Sequence, residues 1–138
     1  MRAVEVSPGT VLGPLRKTIT QQKITRYAGA SGDHNPLHLD QDFAAATQFG
    51  GTIAHGMLLL AYLSEMLTAA FGSRWLETGR LKVRFRGPAR PGDTIIVKGL
   101  VKAINDPTTV TASVECRNQV GDILINGEAE VTNSRGLP

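Results

Sequence analysis

The stretch HGMLLLAYLSEMLTAAFG, residues 55–72, decides the fold class of this chain. It is apolar on almost all sides, which predicts a helix that is buried over most of its surface. Ser64, Glu65 and Thr68 interrupt it, and it falls short of the roughly 20 apolar residues that a membrane span requires. We therefore expect the central helix of a soluble domain and no contact with a membrane.

Downstream of this helix, apolar residues alternate with polar ones, which is the pattern of half-buried strands. The alternation is clear in LKVRFR (residues 81–86), TVTASVECR (109–117) and ILINGEAEV (123–131), and residues 94–104 form a longer apolar strand between them. Short, turn-rich connections predict an antiparallel meander of four consecutive strands. A curved sheet that wraps around the single long helix would bury the apolar faces of both, which gives an α+β fold.

The region before the long helix is predicted to contain two shorter helices. Thr20 is a suitable N-cap for a helix that begins near Gln21, and Asp40 is a suitable N-cap for one at residues 41–47. Glycines are expected to end them, namely Gly29, Gly32, Gly50 and Gly51. Residues 1–15 contain Gly and Pro and are expected to be irregular.

Length and charge narrow the class of protein. The chain has 138 residues, which fits one domain over residues 1–138. Its formal charge of +3 is too weak and too scattered to indicate nucleic acid as a partner. Cys116 is the one cysteine, and it falls on the apolar face of a strand, which predicts a buried core residue. The N-terminus shows no secretion signal, so the cytoplasm is the expected compartment.

The segment SGDHNPLH, residues 31–38, carries the most informative ionisable pair, Asp33 and His38. Five residues apart in a loop held by Pro36, the two side chains can reach a common space. A carboxylate beside an imidazole is suited to general acid–base chemistry. The same composition is also typical of an ordinary turn in which Asp and Asn bond their own backbone.

A glycine at the start of the long helix supplies a second signal. The backbone N–H groups of a first helical turn lack intrahelical partners and lie at the positive end of the helix dipole. Gly56 has no side chain, so a substrate oxygen could approach its N–H closely, as in an oxyanion hole. The alternative is that Gly56 only allows close packing.

The remaining histidines are weaker candidates. His55 could line a cavity, although a histidine at this position more commonly bonds a carbonyl oxygen, and His34 is expected to face solvent. No HxH or HExxH spacing is present, so we predict that the chain binds no metal.

The run from Ile24 to Leu67 resembles the MaoC-like (R)-specific enoyl-CoA hydratases and the related (3R)-hydroxyacyl dehydratases. Their motif has the form Tyr-Ala-x-x-Ser-Gly-Asp-x-Asn-Pro-[Leu/Ile]-His-x-Asp. It is matched by Tyr27, Ala28, Ser31, Gly32, Asp33, Asn35, Pro36, Leu37, His38 and Asp40. The later FRGPARPGDTI, residues 85–95, looks like the second-half pattern of the same family.

The resemblance implies a single hot-dog domain, a curved antiparallel sheet around a long central helix, usually in a homodimer or a larger oligomer with active sites near a subunit interface. It implies that Asp33 and His38 are the catalytic pair and that the Gly56 N–H receives the thioester oxygen. Ser64 falls where some members have a serine near the site. Substrate contacts are also expected for Ser31, Asn35 and His55, although the first two are better placed to shape the loop than to react.

The implied reaction is reversible hydration of trans-2-enoyl thioesters to (3R)-3-hydroxyacyl thioesters. The substrate would be an acyl-CoA or an acyl-carrier-protein thioester, and no cofactor is expected. Basic residues near the second-half pattern, with Arg84 foremost, are candidates for the phosphates of coenzyme A or of the pantetheine arm. The set is Lys82, Arg84, Arg86 and Arg90, and a solvated strand face explains most of it equally well.

Two other functions fit the same sequence. Hot-dog folds also carry thioesterases, which attack C1 rather than C3, and release of free thiol would identify one. The chain could instead be the catalytic subunit of a hetero-oligomeric (3R)-hydroxyacyl dehydratase, or a regulatory acyl-binding module. Gel filtration with candidate partners would distinguish these.

Overall fold

A computed structural model describes residues 5–106 and 108–132 of the chain. In this part the strands form one antiparallel sheet in the order β1-β3-β4-β5-β2. The α+β arrangement expected of a hot-dog domain is therefore confirmed. In chain order the elements are β1 (Val11–Thr18), α1 (Gln21–Ser31), α2 (Pro36–Leu39), α3 (Gln41–Ala45), α4 (Gly56–Phe71), α5 (Ser73–Thr78), β2 (Arg80–Phe85), β3 (Thr94–Asn105), β4 (Thr109–Arg117) and β5 (Ile123–Thr132).

Helix α4 is the centre of the core, as its sequence predicts. Its side chains pack against the inner face of the sheet, and burial of each leucine stabilises the fold by roughly 1.5–3 kcal/mol. One stripe of the helix, four residues apart, remains exposed: Met57, Ala61, Glu65 and Ala69. In the single chain the helix is therefore buried over most of its surface, as predicted, but this one stripe is open. The fully or nearly buried residues are Leu58, Leu59, Leu63, Met66, Leu67, Ala70 and Phe71.

Strand β1 is the largest error of the sequence prediction, which treats residues 1–15 as irregular. The strand lies at one edge of the sheet and pairs with β3. An edge position tolerates Pro14, which has no N–H to donate, and the register shifts between Leu12 and Leu15. Gly13 has φ of 76°, and a Cβ there would lie 2.8 Å from the Val97 carbonyl oxygen. The two residues that suggest a loop are therefore features of a bulged edge strand.

Strand β2 lies at the other edge and pairs with β5, not with the strand that follows it in the chain. The meander predicted from short connections holds only for β3, β4 and β5. The link between β2 and β3 instead runs back across the molecule toward the start of α4, where the Ala54 N–H donates to the Ala89 carbonyl at 2.8 Å. This crossing brings the second-half motif next to the first.

The caps of the short helices follow the sequence closely. The Thr20 side chain accepts from the Lys23 N–H and begins α1, and Gly32 ends it with φ of 78°. Gly29, also predicted to end that helix, lies inside it. The Asp40 side chain accepts from the Phe43 N–H and begins α3, which is two residues shorter than predicted. None of the helices in the described ranges is long and apolar enough to cross a membrane.

Cys116 lies on β4 with no exposed surface, which confirms its prediction as a core residue. Burial, with a smaller effect from the adjacent Glu115 carboxylate, raises the pKa of the Cys116 thiol from 9.0 to about 12. The thiol therefore remains protonated at neutral pH.

Candidate active site

The bend between α1 and α2 is folded by its own polar side chains. Ser31 Oγ accepts from the Asp33 N–H at 3.2 Å, and Asp33 Oδ1 accepts from the Asn35 N–H at 3.2 Å. Asn35 Oδ1 in turn accepts from the Leu37 N–H at 2.9 Å and caps α2. Ser31 and Asn35 thus shape the bend, and substrate contact by either stays a prediction.

The bend brings the carboxylate of Asp33 and the imidazole of His38 together. Asp33 Oδ2 lies 3.9 Å from His38 Nε2, with the Asp33 side chain 53% exposed and the His38 side chain 12% exposed. His38 Nδ1 is 2.8 Å from the Ile53 carbonyl oxygen. Because a carbonyl only accepts, Nδ1 carries a hydrogen, and Nε2 of the neutral ring is a free acceptor that faces Asp33. Asp33 is thus the solvent-exposed member of the pair and His38 the mostly buried one, and both facing atoms are acceptors that a bridging water molecule can bond.

His55 connects this pair to the start of α4. Its Nε2 lies 3.0 Å from the backbone carbonyl oxygen of Asp33. Its ring stacks on the ring of His38, with centroids 3.8 Å apart and an angle of 25° between the planes. A bond to a carbonyl oxygen is the more common arrangement for a histidine at this position, and direct contact of His55 with substrate stays a prediction.

Gly56 follows His55 and is the first residue of α4. With Ile53 it lines a mostly apolar cavity of about 360 Å³, whose wall also includes Phe49, Leu59 and Phe85. A Cβ on Gly56 would lie 2.9 Å from the Phe85 ring, so the ring covers this glycine closely. Asp33 and His38 do not line the cavity, and the hydrogen bond from His38 to Ile53 ties them to its wall.

The other predicted site residues make no hydrogen bond to Asp33 or His38 within the described ranges. Ser64 is two turns along α4 from Gly56, about 12 Å by helix geometry. Its hydroxyl accepts a 2.9 Å hydrogen bond from Trp75 Nε1, which gives the serine a structural role. His34 is exposed, as predicted. Roles for Ser64 and Arg84 in substrate binding stay predictions.

The four basic candidates differ in their position relative to the cavity. Arg86 lines it, and its Nε donates to Asn126 Oδ1 at 2.9 Å. Arg90 donates to the Phe49 carbonyl, which belongs to the same wall. Lys82 and Arg84 project from the exposed edge strand β2 and do not line the cavity. Of the four cations, Arg86 is therefore the best placed to bind an anionic group at the cavity.

Asp33, His38 and His55 each offer a possible metal-ligand atom, and these atoms lie within 4.8 Å of one another. The two imidazoles are stacked, however, so their in-plane lone pairs run side by side. Zinc ligands must converge on one ion at about 2.0–2.1 Å. One nitrogen of each ring already bonds a carbonyl oxygen. This geometry suits proton transfer better than metal binding, and the absence of a metal stays a prediction.

The residues that support the pair come from distant parts of the chain. Gln21 Nε2 donates to the His38 carbonyl at 2.8 Å, and the hydroxyl of the buried Thr52 donates to Gln21 Oε1 at 2.7 Å. The Tyr27 ring meets the His55 ring edge-on, with centroids 4.9 Å apart. These contacts join residues distant in the chain, so no local spacing predicts them. Only Tyr27 has a sequence signal, as a member of the quoted motif.

Comparison with known proteins identifies the family of this chain. A family model described as a MaoC-like domain matches residues 4–122. An (R)-specific enoyl-CoA hydratase of Rhodospirillum rubrum is 38% identical over 128 residues, which cover 85% of this chain and 81% of that protein. A 3-hydroxybutyryl-CoA dehydratase of Methylorubrum extorquens is 36% identical over 122 residues, which cover 85% of this chain and 74% of that protein.

A solved structure shares the fold. The unliganded R-hydratase PhaJ1 from Pseudomonas aeruginosa superimposes with a TM-score of 0.82 at 30% identity. The match covers 93% of this chain and 82% of that one. The sheet order and central helix described above are thus the hot-dog fold of an R-hydratase.

Proposed function

Because this chain belongs to the MaoC-like dehydratase family, we propose that it is a hydro-lyase that hydrates trans-2-enoyl thioesters to (3R)-3-hydroxyacyl thioesters and catalyses the reverse dehydration. One observation carries the proposal. The Asp33 carboxylate and His38 Nε2 face each other across 3.9 Å, and the Asp33 carboxylate is exposed to solvent. The backbone of Asp33 is in turn bonded to His55, the residue before helix α4.

The pair holds the water that reacts. A water molecule that donates to Asp33 Oδ2 and to His38 Nε2 has its oxygen free to attack C3 of the substrate. Asp33 accepts one proton from the water as the C3–O bond forms and the C2–C3 double bond opens. The proton then passes from the pair to C2 on the same face, which restores both side chains. Positioned acid–base groups of this kind commonly supply about 10²–10⁴-fold in rate.

Gly56 stabilises the charge that develops during this addition. As water adds at C3, negative charge moves to the thioester oxygen, and an enolate-like state forms. The Gly56 N–H, at the positive end of the α4 dipole, donates to that oxygen. Loss of one such donor costs about 2.7–4 kcal/mol in other enzymes. The thioester itself acidifies C2, so we propose that no metal or cofactor takes part, and activity unchanged by EDTA is the expected result.

Arg86 is proposed to bind a phosphate of the group that carries the acyl chain. Coenzyme A and the pantetheine arm of a carrier protein both bring phosphate to the mouth of the site. Arg86 lines the Gly56 cavity, and its hydrogen bond to Asn126 uses Nε, so the guanidinium carries further N–H donors at Nη1 and Nη2 that can meet a phosphate. An increase of KM with salt would support this contact, because charge attraction between exposed groups is screened.

A homodimer is the proposed assembly, formed along the edge strand β2. An edge strand leaves backbone groups unpaired, and pairing with a second copy would satisfy them. Phe85 at the end of β2 is 54% exposed and touches Gly56, so such pairing would also cover the site. Gel filtration of the protein alone tests this assembly. Co-elution with a candidate partner chain would support the hetero-oligomeric alternative. A cytoplasmic location stays a prediction.

The function is tested with crotonyl-CoA and the full-length protein. Loss of the enoyl-thioester absorbance, with (3R)-3-hydroxybutyryl-CoA as the product in chiral analysis, is the expected result. The (3S) product would contradict the proposed stereochemistry. Release of free coenzyme A thiol without loss of the double bond would identify the thioesterase instead.

A further inference from the structure

His55 is a buried polar residue at the start of α4, and helix capping does not explain why a histidine stands there. It is the N-cap residue of α4, a position where Ser, Thr, Asp and Asn normally bond the first turn, yet its side chain makes no cap bond. Only 2% of the residue is exposed. Burial of a polar side chain is costly unless the side chain makes hydrogen bonds. A histidine at this position therefore calls for a role beyond capping.

The hydrogen bond of His55 to the bend fixes its tautomer. The Asp33 carbonyl oxygen can only accept, so His55 Nε2 carries the hydrogen. In the neutral ring Nδ1 is then a bare acceptor, and it is buried without a hydrogen-bond partner among residues 5–106 and 108–132. A second proton would place a buried N–H without an acceptor. His55 thus presents its Nε2–H donor to the bend, while Nδ1 makes no hydrogen bond within the described ranges.

Among the described residues, three hydrogen bonds join the bend and helix α2 to the segment before α4. The Ile53 N–H donates to the Leu37 carbonyl at 3.3 Å, and His38 Nδ1 donates to the Ile53 carbonyl at 2.8 Å. The third, from His55 to Asp33, is the one that holds the residue whose carboxylate we propose as the base. Because His55 directly precedes Gly56, this bond links the proposed base to the proposed oxyanion donor through one residue.

We propose that His55 is a positioning residue that sets the Asp33 carboxylate at its working distance from His38 and from the Gly56 N–H. The Nε2–H donor fixes the backbone of Asp33, and the stacked ring supports the face of His38. This inference rests on the proposed function, since it gives His55 a part in that reaction. We propose this positioning role in place of direct contact between His55 and the substrate, because His55 Nε2–H already donates to the Asp33 carbonyl.

The kinetic test separates the donor from the ring. His55→Phe keeps a flat buried ring and removes the donor, whereas His55→Gln keeps an N–H group near the position of Nε2. For His55→Phe we expect kcat to fall about 10–100-fold with KM within about threefold, because misplacement of about 1 Å can cost about 10²-fold. His55→Gln should recover at least about fivefold of that loss. His34→Gln, an exposed histidine of the same bend, is the matched control and should match the wild type.

The outcomes decide the proposal even if one variant fails to fold. Normal kcat in His55→Phe, or equal kcat in the folded Phe and Gln variants, would leave His55 as core packing only. If the Phe variant does not fold, His55→Gln is compared with His55→Asn, whose shorter amide cannot reach Asp33. A higher kcat for Gln supports the proposal, and equal values overturn it.

A spectroscopic measurement keeps this inference separate from the proposed function. The imidazole ¹⁵N chemical shifts of His55 at neutral pH should report a hydrogen on Nε2 and a bare Nδ1. A ring that carries its hydrogen on Nδ1, or on both nitrogens, would overturn the inference whatever the enzyme does. A wild-type protein with the expected shifts that does not hydrate crotonyl-CoA would count against the proposed reaction instead.

Discussion

His38 Nε2 and Asp33 Oδ2 face each other across 3.9 Å, a separation too long for a direct hydrogen bond. On the other side of the ring, Nδ1 is held by the Ile53 carbonyl at 2.8 Å. The imidazole is therefore fixed in one tautomer while its second nitrogen remains available. A water molecule can bond both groups from the solvent side, which is the arrangement that addition of water to a double bond requires.

Replacement of His38 should remove activity more than stability. His38→Asn can keep a donor for the Ile53 carbonyl, because the Asn amide nitrogen lies near the position of Nδ1, but it removes the Nε2 acceptor. We expect kcat with crotonyl-CoA to fall at least about 10²-fold, with little change in Tm. His38→Ala should lose similar activity and more stability, since the Ile53 carbonyl loses its partner. Near-normal turnover in the folded Asn variant would mean that His38 is structural.

Gly56→Ala should disturb the cavity through Phe85. The added Cβ would lie 2.9 Å from the Phe85 ring, which must shift. Phe85 is 54% exposed in the single chain, so the shift costs the fold of one protomer little stability. We expect kcat/KM to fall about tenfold with little change in Tm. The same substitution in a Phe85→Ala background should have a smaller effect, because the ring that it displaces is gone.

The double-mutant cycle of Gly56→Ala and Phe85→Ala can contradict this prediction. Residues in contact have coupled effects, whereas independent ones add within about 0.3–0.5 kcal/mol. Additive losses of kcat/KM in the double variant would show that the contact between Gly56 and Phe85 does not shape the site.

Cys116 should make the protein less stable at alkaline pH. Its thiol has a pKa of about 12 in the folded chain, against an ordinary value of 9.0 in the unfolded one. Above pH 9 the unfolded state therefore binds fewer protons, so the contribution of this thiol to stability is complete below pH 9 and is lost as pH rises toward 12. Urea unfolding at pH 8 to 10 measures it, with Cys116→Ala as the reference.

The stability difference between wild type and Cys116→Ala should fall above pH 9, by up to about 1.4 kcal/mol per pH unit. A thiol reagent at pH 8 should modify Cys116 only after unfolding. Rapid modification of the native protein would contradict the buried position.

The fold is largely predictable from the sequence because its main elements carry local signals. The apolar helix α4, the caps Thr20 and Asp40, and the alternating strands all depend on neighbours in the chain. Strand β1 is missed because Gly13 and Pro14 are typical of loops, and only their position at a sheet edge makes them compatible with a strand. The pairing of β2 with β5 is also missed, since the short connection to β3 suggests a hairpin.

The candidate site is also predictable from the sequence only in part. Asp33 lies in the bend and His38 in the short helix α2 that follows it, so their approach follows from a spacing of five residues. The contacts that hold them come from elsewhere in the chain. Ile53, His55 and Gln21 are brought in by the fold, and nothing in their local sequence specifies which atom they bond. The position of Arg86 on the cavity wall, with Arg84 outside it, likewise depends on the crossing that follows β2.

The most direct test of the proposed mechanism is turnover of crotonyl-CoA by Asp33→Asn. The amide is nearly the size of the carboxylate, its Oδ1 can still accept from the Asn35 N–H, and the exposed side chain leaves folding unaffected, so Tm should match the wild type. An amide cannot take a proton from water, and kcat for hydration should fall at least about 10²-fold. A folded Asp33→Asn variant that hydrates crotonyl-CoA at close to the wild-type rate would contradict the assignment of Asp33 as the base.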